Sequence, residues 1–301
     1  MILQIIYKLI YQKHINYVLR NINYVINPFI PKKIKIPPSG ILNLKTDSGI
    51  IKIATNQTSY LTQLLFWKGY KYFEYSEIFE KLCKQTTNFL DIGSNIGYYS
   101  LIAAKANPEI KIYAFEPALG PKHFLKKNIL INNFESIISP INLALSDNSG
   151  TIDFYEVKSK KYTYLEHDLA GEGNAGTKTS SRNFIKNTVT ATTLSEFVTQ
   201  NKLSKIDLIK MDTEGTEITI LKASKETIAK HEPIVICETL YNTIENELDD
   251  FFNSLNYLFF NHTKQGLKEV KTITRSKDNG IRNCFFVPKS KLNLIETFIT
   301  D

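Results

Sequence analysis

From residue 87 onward the chain alternates apolar, strand-like runs with helix-like segments, and this alternation constrains its fold more than any other feature. "TNFLDIG" reads as a buried strand, "IGYYSLIAAKA" as a helix, "IKIYAFEP" as a second strand closed by proline, and "GPKHFLKKNILINN" as a helix. "SIISPINLAL" reads as a third strand, with Pro140 as a blemish. "GTIDFYEV" looks like an added strand. The stretch 158–187, with Gly171, Gly173 and Gly176, has no clear period and reads as a mobile loop. The pattern then resumes with helix "TLSEFVTQN", strand "KIDLIKMD", helix "TEGTEITILKASKETIAK", strand "PIVICE" and helix "IENELDDFFNSL". "NYLFFNH" and "NCFFVP" supply two last strands. Such alternation implies an α/β fold, a mostly parallel sheet with helices on both faces.

In a sheet of that kind ligands sit beyond the carboxyl ends of the strands, near the point where strand order reverses. The residues that fall there are Asp91, Gly93, Ser94, Asn95 and Gly97 after the first strand, and Glu116 and Pro117 after the second. Asn142 to Ala144 follow the third, Asp212 and Glu214 the fourth, and Glu238 the fifth. Glycines at 93 and 97 permit a sharp turn and close backbone approach. A dinucleotide fingerprint would read GxGxxG, its middle glycine letting a pyrophosphate touch the backbone. Asn95 stands at that place, so the loop suits a nucleoside-type ligand without phosphates. Glu116 lies where an acid can accept both ribose hydroxyls. Asp91 lies near where a cationic amine could sit.

Taken together, "FLDIGSNIGYYSLIAA", "YAFEP", "INLALSDNSGTIDFYEV", "TLSEFV", "IDLIKMDTEGTEITIL" and "PIVICE" resemble the FkbM family of S-adenosylmethionine-dependent methyltransferases over about residues 87–240. The glycine loop departs from the family by carrying Ser94 where alanine is usual. The resemblance implies a class I methyltransferase fold: a Rossmann-like sheet of seven strands, mostly parallel, the last antiparallel. It implies O-methylation of hydroxyls on sugars, glycans, glycolipids or secondary metabolites. It places Asp91, Gly93, Ser94, Asn95 and Gly97 around the methionine part of S-adenosylmethionine, and Glu116 and Pro117 at the ribose. Asn142 and Ala144 come near the adenine, and Asp212 and Glu214 face the transferring methyl. Asp212 is the candidate base or orienting group, with Glu238 and His167 on the acceptor side. Both Asp212 and Glu214 have a second reading as helix caps, and Glu217 reads as a solvated or structural acid.

The sequence lacks the Pro-Pro-aromatic motif of amine methyltransferases; its one Pro-Pro, at Pro37-Pro38, lies in a linker. That favours oxygen as acceptor. The strand-end acids could instead bind a divalent metal, but no metal is expected here. His14, His123, His167, His231 and His262 show no ligand spacing; His167 is set apart because it lies in the 158–187 insertion, which is expected to close over the acceptor. Two rivals are an NAD-dependent sugar oxidoreductase, which the missing glycine disfavours, and a non-catalytic nucleoside-binding scaffold.

The net charge of +7 comes almost wholly from residues 1–38, which hold Lys8, Lys13, Arg20, Lys32, Lys33 and Lys35 and no acid. The remaining 31 cations and 30 acids nearly cancel, so the fold itself lacks the basic footprint of a nucleic-acid binder. Gln4, Lys8, Gln12, Asn16, Arg20, Asn23 and Asn27 recur every three to four residues and mark one polar stripe on a helix. Its wide apolar face either packs on the domain or a second subunit, or lies on an anionic membrane from the cytoplasmic side. The apolar run is too broken for a membrane span or a signal peptide. "NPFIPKKIKIPPSG" reads as a linker, "ILNLKTDSGIIKIAT" as a hairpin, and residues 60–85 as helical. The expected organisation is a basic helix and linker (1–38), a hairpin and helix on the core (39–86), and the methyltransferase domain (87–301). Cys83, Cys237 and Cys284 are scattered, as reduced core thiols of a cytoplasmic protein would be.

Overall fold

In the computed structural model, residues 2–30, 34–169, 183–213 and 215–300 are described. The first segment forms two helices rather than one, α1 (Ile2–Ile10) and α2 (Lys13–Ile26). The break falls at Gln12, whose side-chain oxygen accepts from the His14 and Ile15 N–H groups and caps α2. Strands β1 (Gly40–Thr46) and β2 (Gly49–Thr55) form the hairpin, with Thr46 opposite Gly49, leaving Asp47 and Ser48 as the turn. The buried Glu80 carboxylate ties that turn down by accepting from Ser48 N–H at 2.5 Å. Residues 60–85 also divide, into α3 (Tyr60–Lys68) and α4 (Ser76–Cys83), because Gly69 ends α3 at φ 85°.

The alternating part follows as β3 (Asn88–Ile92), α5 (Tyr98–Ala106), β4 (Lys111–Phe115), α6 (Leu119–Asn132) and β5 (Ile138–Ile141). Next come β6 (Ala144–Leu145), β7 (Gly150–Lys158), β8 (Asn183–Thr192), α7 (Leu194–Gln200), β9 (Leu208–Met211), α8 (Glu217–Ala223), α9 (Lys225–His231) and β10 (Ile234–Glu238). The chain closes with α10 (Glu245–Asn253), β11 (Tyr257–His262), β12 (Leu267–Val270), β13 (Asn283–Pro288) and β14 (Ile299–Thr300).

The main sheet has the order β14-β12-β11-β13-β10-β9-β3-β4-β5. From β5 to β10 neighbours run parallel, and β13 lies antiparallel between β10 and β11. Those seven strands make the class I methyltransferase sheet, including its antiparallel last strand. Two more, β12 and β14, extend it to nine. They are four and two residues long, too short to leave a readable alternation in the sequence. Pro140 is accommodated because β5 is the edge strand, where a missing N–H breaks no ladder on the open side.

Each central strand sends successive side chains to opposite faces, and both faces are covered. Phe89, Ile112, Leu208 and Ile236 pack with α4–α6 and the β1–β2 hairpin. Leu90, Phe115, Ile209, Met211 and Val235 pack with α7–α10. The run read as one third strand splits: β6 leaves the main sheet and joins a second sheet of order β6-β8-β7. Strands β7 and β8 pair from Gly150↔Ala191 to Lys158↔Asn183, so both ends of the stretch 158–187 are strand rather than loop. Residues 170–182 of that stretch lie outside the described residues.

Candidate functional site

Strand order reverses where β3 meets β9. The chain leaves β3 through Gly93, at φ 73°. A Cβ there would stand 2.0 Å from the Asp212 backbone oxygen, so only glycine lets the ends of β3 and β9 come this close. The following loop is held from the neighbouring strand. Ser94 donates its N–H and its hydroxyl to Phe115 O, at 2.9 and 3.2 Å. Asn95, itself at φ 52°, donates its N–H to Glu116 Oε2 at 2.7 Å. Glu116 Oε1 accepts the Ala118 N–H at 2.9 Å, so this buried carboxylate fastens the loops after β3 and β4 together. Gly97, at φ 86°, starts α5 where a Cβ would meet a Leu125 methyl at 2.6 Å.

A buried charge cluster lies at the ends of β3 and β9. Asp91 is 1% exposed; its Oδ2 accepts the Ser100 hydroxyl at 2.6 Å, while its Oδ1 takes no hydrogen bond among the described residues. That orphaned oxygen is 4.0 Å from Lys210 Nζ. Lys210 stands two residues before Asp212 on β9, so the two side chains leave the same face. Its ammonium donates to Gly93 O at 3.2 Å and to Asp212 Oδ2 at 3.3 Å. Burial works against the Lys210 charge, but Asp212, Asp91 and Glu74 outweigh it and hold its pKa above the ordinary value. Burial likewise raises the Asp91 carboxyl, with Lys210 opposing.

Glu74 joins from outside the alternating part. At φ 43° it sits at the mouth of the cluster, exposed as a residue, while its Oε2 accepts the Tyr99 hydroxyl at 2.5 Å. Loss of solvent around the carboxyl, with Asp212 beyond, pushes its pKa up against the Tyr99 bond. Sequence reasoning missed both Lys210 and Glu74. A lysine inside the apolar run "IDLIKMD", in step with Asp212, was a signal for the first; nothing local marks the second.

The Asp212 side chain is half-exposed. Helix α8 begins five residues later, and it is the buried Glu217 that accepts the Thr213 N–H, at 2.7 Å, making that acid structural. Glu214 lies outside the described residues. Gly93, Pro117 and Ala144 line a cleft of about 120 Å³ with Phe115, Tyr155 and Thr213. Asn142 is turned elsewhere, its Oδ1 accepting from Lys122 Nζ at 2.8 Å on the surface. His167 lies against His123 with ring centroids 4.2 Å apart and the planes tilted by 31°, and both line a separate cleft of about 490 Å³ beside Lys122, Lys126 and Glu156. Glu238 ends β10 opposite Asn283, one strand beyond β9. Among the described residues no three His, Cys, Asp or Glu side chains gather as a metal site would require.

At the switch point, then, Gly93 lets the ends of β3 and β9 close up beside the orphaned Asp91 oxygen. Comparison with known proteins gives the family. The family model described as the methyltransferase FkbM domain matches residues 91–263, more than half of the chain. The chain is 29% identical over 178 residues to methyltransferase sdnD of Sordaria araneosa, a match covering 51% of this chain and 69% of that protein. It is 30% identical over 133 residues to the hexuronic acid methyltransferase AglP of Haloferax volcanii, covering 44% of this chain and 47% of the relative. Among solved structures, a methyltransferase FkbM from Methylobacillus flagellatus KT aligns at TM-score 0.43 and 14% identity, over 67% of this chain and 43% of its own. M. capricolum TrmK with S-adenosyl-homocysteine aligns at TM-score 0.37 and 16% identity, over 70% and 67%. The assignment rests on the family match rather than on these distant overlays: the chain belongs to the FkbM family of methyltransferases, with S-adenosylmethionine as its methyl donor.

Proposed function

We propose that the chain methylates a hydroxyl of a small-molecule or glycan acceptor, a sugar, glycolipid or secondary metabolite, with Asp212 as the orienting group and base. A relative named for hexuronic acid methylation supports a sugar. The observation that carries the reading is a half-exposed carboxylate fixed at the switch point by a buried ammonium, with Lys210 Nζ 3.3 Å from Asp212 Oδ2. S-adenosylmethionine, when bound, supplies a methyl group made electrophilic by its sulfonium. Asp212 then has two tasks. It accepts the acceptor's hydroxyl proton as the oxygen–carbon bond forms, and it fixes which hydroxyl reaches the methyl. Lys210 keeps that carboxylate in place. Glu238 is assigned to the acceptor side and Glu214 beside Asp212, while His167, in the separate cleft with His123, is left out of the assignment. Asp91 takes the donor's amine, Glu116 and Pro117 its ribose, and Ala144 its adenine edge, from which Asn142 is turned away toward Lys122. The three free cysteines are buried, which suits a cytoplasmic setting.

Methylation of a panel of neutral and acidic sugars with labelled donor tests the reading. A base-stable ether product is expected; a base-labile ester would make a carboxylate the acceptor and overturn it. Donor binding has its own test. Gly93→Val should abolish it, because the side chain has nowhere to go but the Asp212 backbone. Glu116→Ala should weaken it and also cost about 1–3 kcal/mol of stability for each backbone N–H left without its acceptor. Unchanged donor affinity by calorimetry in both folded variants would put the cofactor elsewhere.

A further inference from the structure

From Asn16 onward the polar stripe of residues 1–38 points inward, while Lys8 and Gln12 before it are exposed. Asn16, Arg20, Asn23 and Asn27 are buried. Arg20 donates to Ser39 O at 3.1 Å and Ile41 O at 2.8 Å, and Asn16 Nδ2 to Pro37 O at 3.1 Å. Asn23 and Asn27 both donate to Ile34 O. That part of the stripe attaches α2 to the rest of the chain, and on α1 Gln4 donates to Lys161 O at 3.0 Å. Tyr7 and Tyr11 add edge contacts to Tyr162, and Tyr24 packs on Phe66 and Trp67.

The apolar face consequently points outward. Among the described residues, fourteen of the 22 exposed large apolar side chains lie between residues 2 and 34, among them Ile5, Ile6, Leu9, Val18, Val25 and Phe29, the last 85% exposed. A concentration of that kind on one face marks a contact surface. Its surroundings choose the occupant. Lys8, Lys13 and Lys35 are exposed around it, the sequence adds Lys32 and Lys33, and residues 1–38 contain no acid. A second copy seated here would bring like charges together. An anionic lipid surface would neutralise them while covering the apolar side chains. Among the described residues no helix is long and apolar enough to cross a membrane. At ~1.5 Å per residue α1 and α2 reach only about half to two-thirds of a ~30 Å hydrocarbon core, so they lie in the surface plane.

We propose that α1 and α2 dock the chain on an anionic lipid bilayer, apolar face in the lipid and polar stripe locked to the domain. The inference concerns a surface other than the methyl-transfer site and holds whatever the acceptor. The test is co-sedimentation of the full chain with phosphatidylcholine vesicles, with and without phosphatidylserine. Binding should require phosphatidylserine and weaken steeply with added salt. The combined substitution Ile6→Glu, Val18→Glu and Val25→Glu should abolish it without altering thermal unfolding or donor affinity. Lys8→Gln with Lys13→Gln, which leaves the apolar face intact, should weaken it by roughly tenfold or more, and decides the matter if the glutamate variant fails to fold. The proposal is overturned if the full chain ignores anionic vesicles, if neutral vesicles bind as well, or if the charge variants bind like wild type. It is equally overturned if sedimentation shows a dimer that the glutamates dissolve, which would make the occupant a second copy.

Discussion

Asp212→Asn is expected to lower methylation by roughly 10²-fold or more while leaving the fold and donor affinity near wild type. Asparagine keeps the size and most of the hydrogen bonding of aspartate but cannot take a proton. The geometry makes the experiment clean. The link between β3 and the residue after β9 is a backbone one, Asp212 N–H to Ile92 O at 3.1 Å, and does not depend on the carboxylate. The turn into α8 is held by Glu217. Neither contact needs the charge of Asp212; Lys210, the cation it pairs with, keeps Asp91 as a second anion in the variant. Circular dichroism and donor calorimetry on the variant separate the outcomes. Near wild-type turnover would remove Asp212 from the chemistry, and loss of activity through unfolding would make it structural.

Lys210→Met is expected to destabilise the fold by about 3–5 kcal/mol near neutral pH, the cost of leaving one member of a buried ion pair uncompensated. Methionine fills much of the same volume, so the loss reports charge rather than packing. The partner left behind is Asp91, buried and with one oxygen already lacking a hydrogen bond. Its pKa is held above the unfolded value by burial, with Lys210 as the largest opposing influence, so it must rise further in the variant. A carboxyl with a raised folded-state pKa favours the folded state when protonated. Its stabilising share is complete below the ordinary carboxylate range and is lost as pH rises through the folded pKa. Lys210, raised in the folded state, contributes fully at neutral pH and loses its share only above the ordinary lysine range. The variant's deficit should accordingly shrink as pH falls below neutral. Urea unfolding of both proteins at a series of pH values measures this, and a deficit independent of pH would show that Lys210 acts through packing alone.

The main sheet was legible because periodicity is local. Apolar runs bounded by Gly, Pro or polar clusters locate β3, β4, β9, β10, β11 and β13, and the spacing of Gly93 and Gly97 marks the turn into α5. Boundaries were less legible. Gln12, Gly69 and Ser224 each divide a stretch that reads as one helix, and Ala144 crosses into a second sheet three residues after the third strand ends. Those breaks depend on what the flanking residues meet, which a period does not record. The ends of the 158–187 stretch become strand for the same reason: β8 is stabilised by register with β7, a partner some thirty residues earlier at its middle.

By itself the sequence determined which residues share a strand end or a helix face. Gly93, Glu116 and Asp212 follow strands, and Asn16, Arg20, Asn23 and Asn27 share a stripe, because both patterns are set by the repeat of the backbone. Only the tertiary structure decided what each set confronts. Lys210 reads as one polar residue in an apolar run until β3 places Gly93 O and Asp91 beside it. Glu74 gains its place because Tyr99 on α5 reaches it. The stripe turned inward because the carbonyls of residues 34–41 offer Arg20 and its neighbours fixed acceptors. A buried polar group goes to wherever its hydrogen bonds can be completed, and that place is set by chain segments distant in sequence.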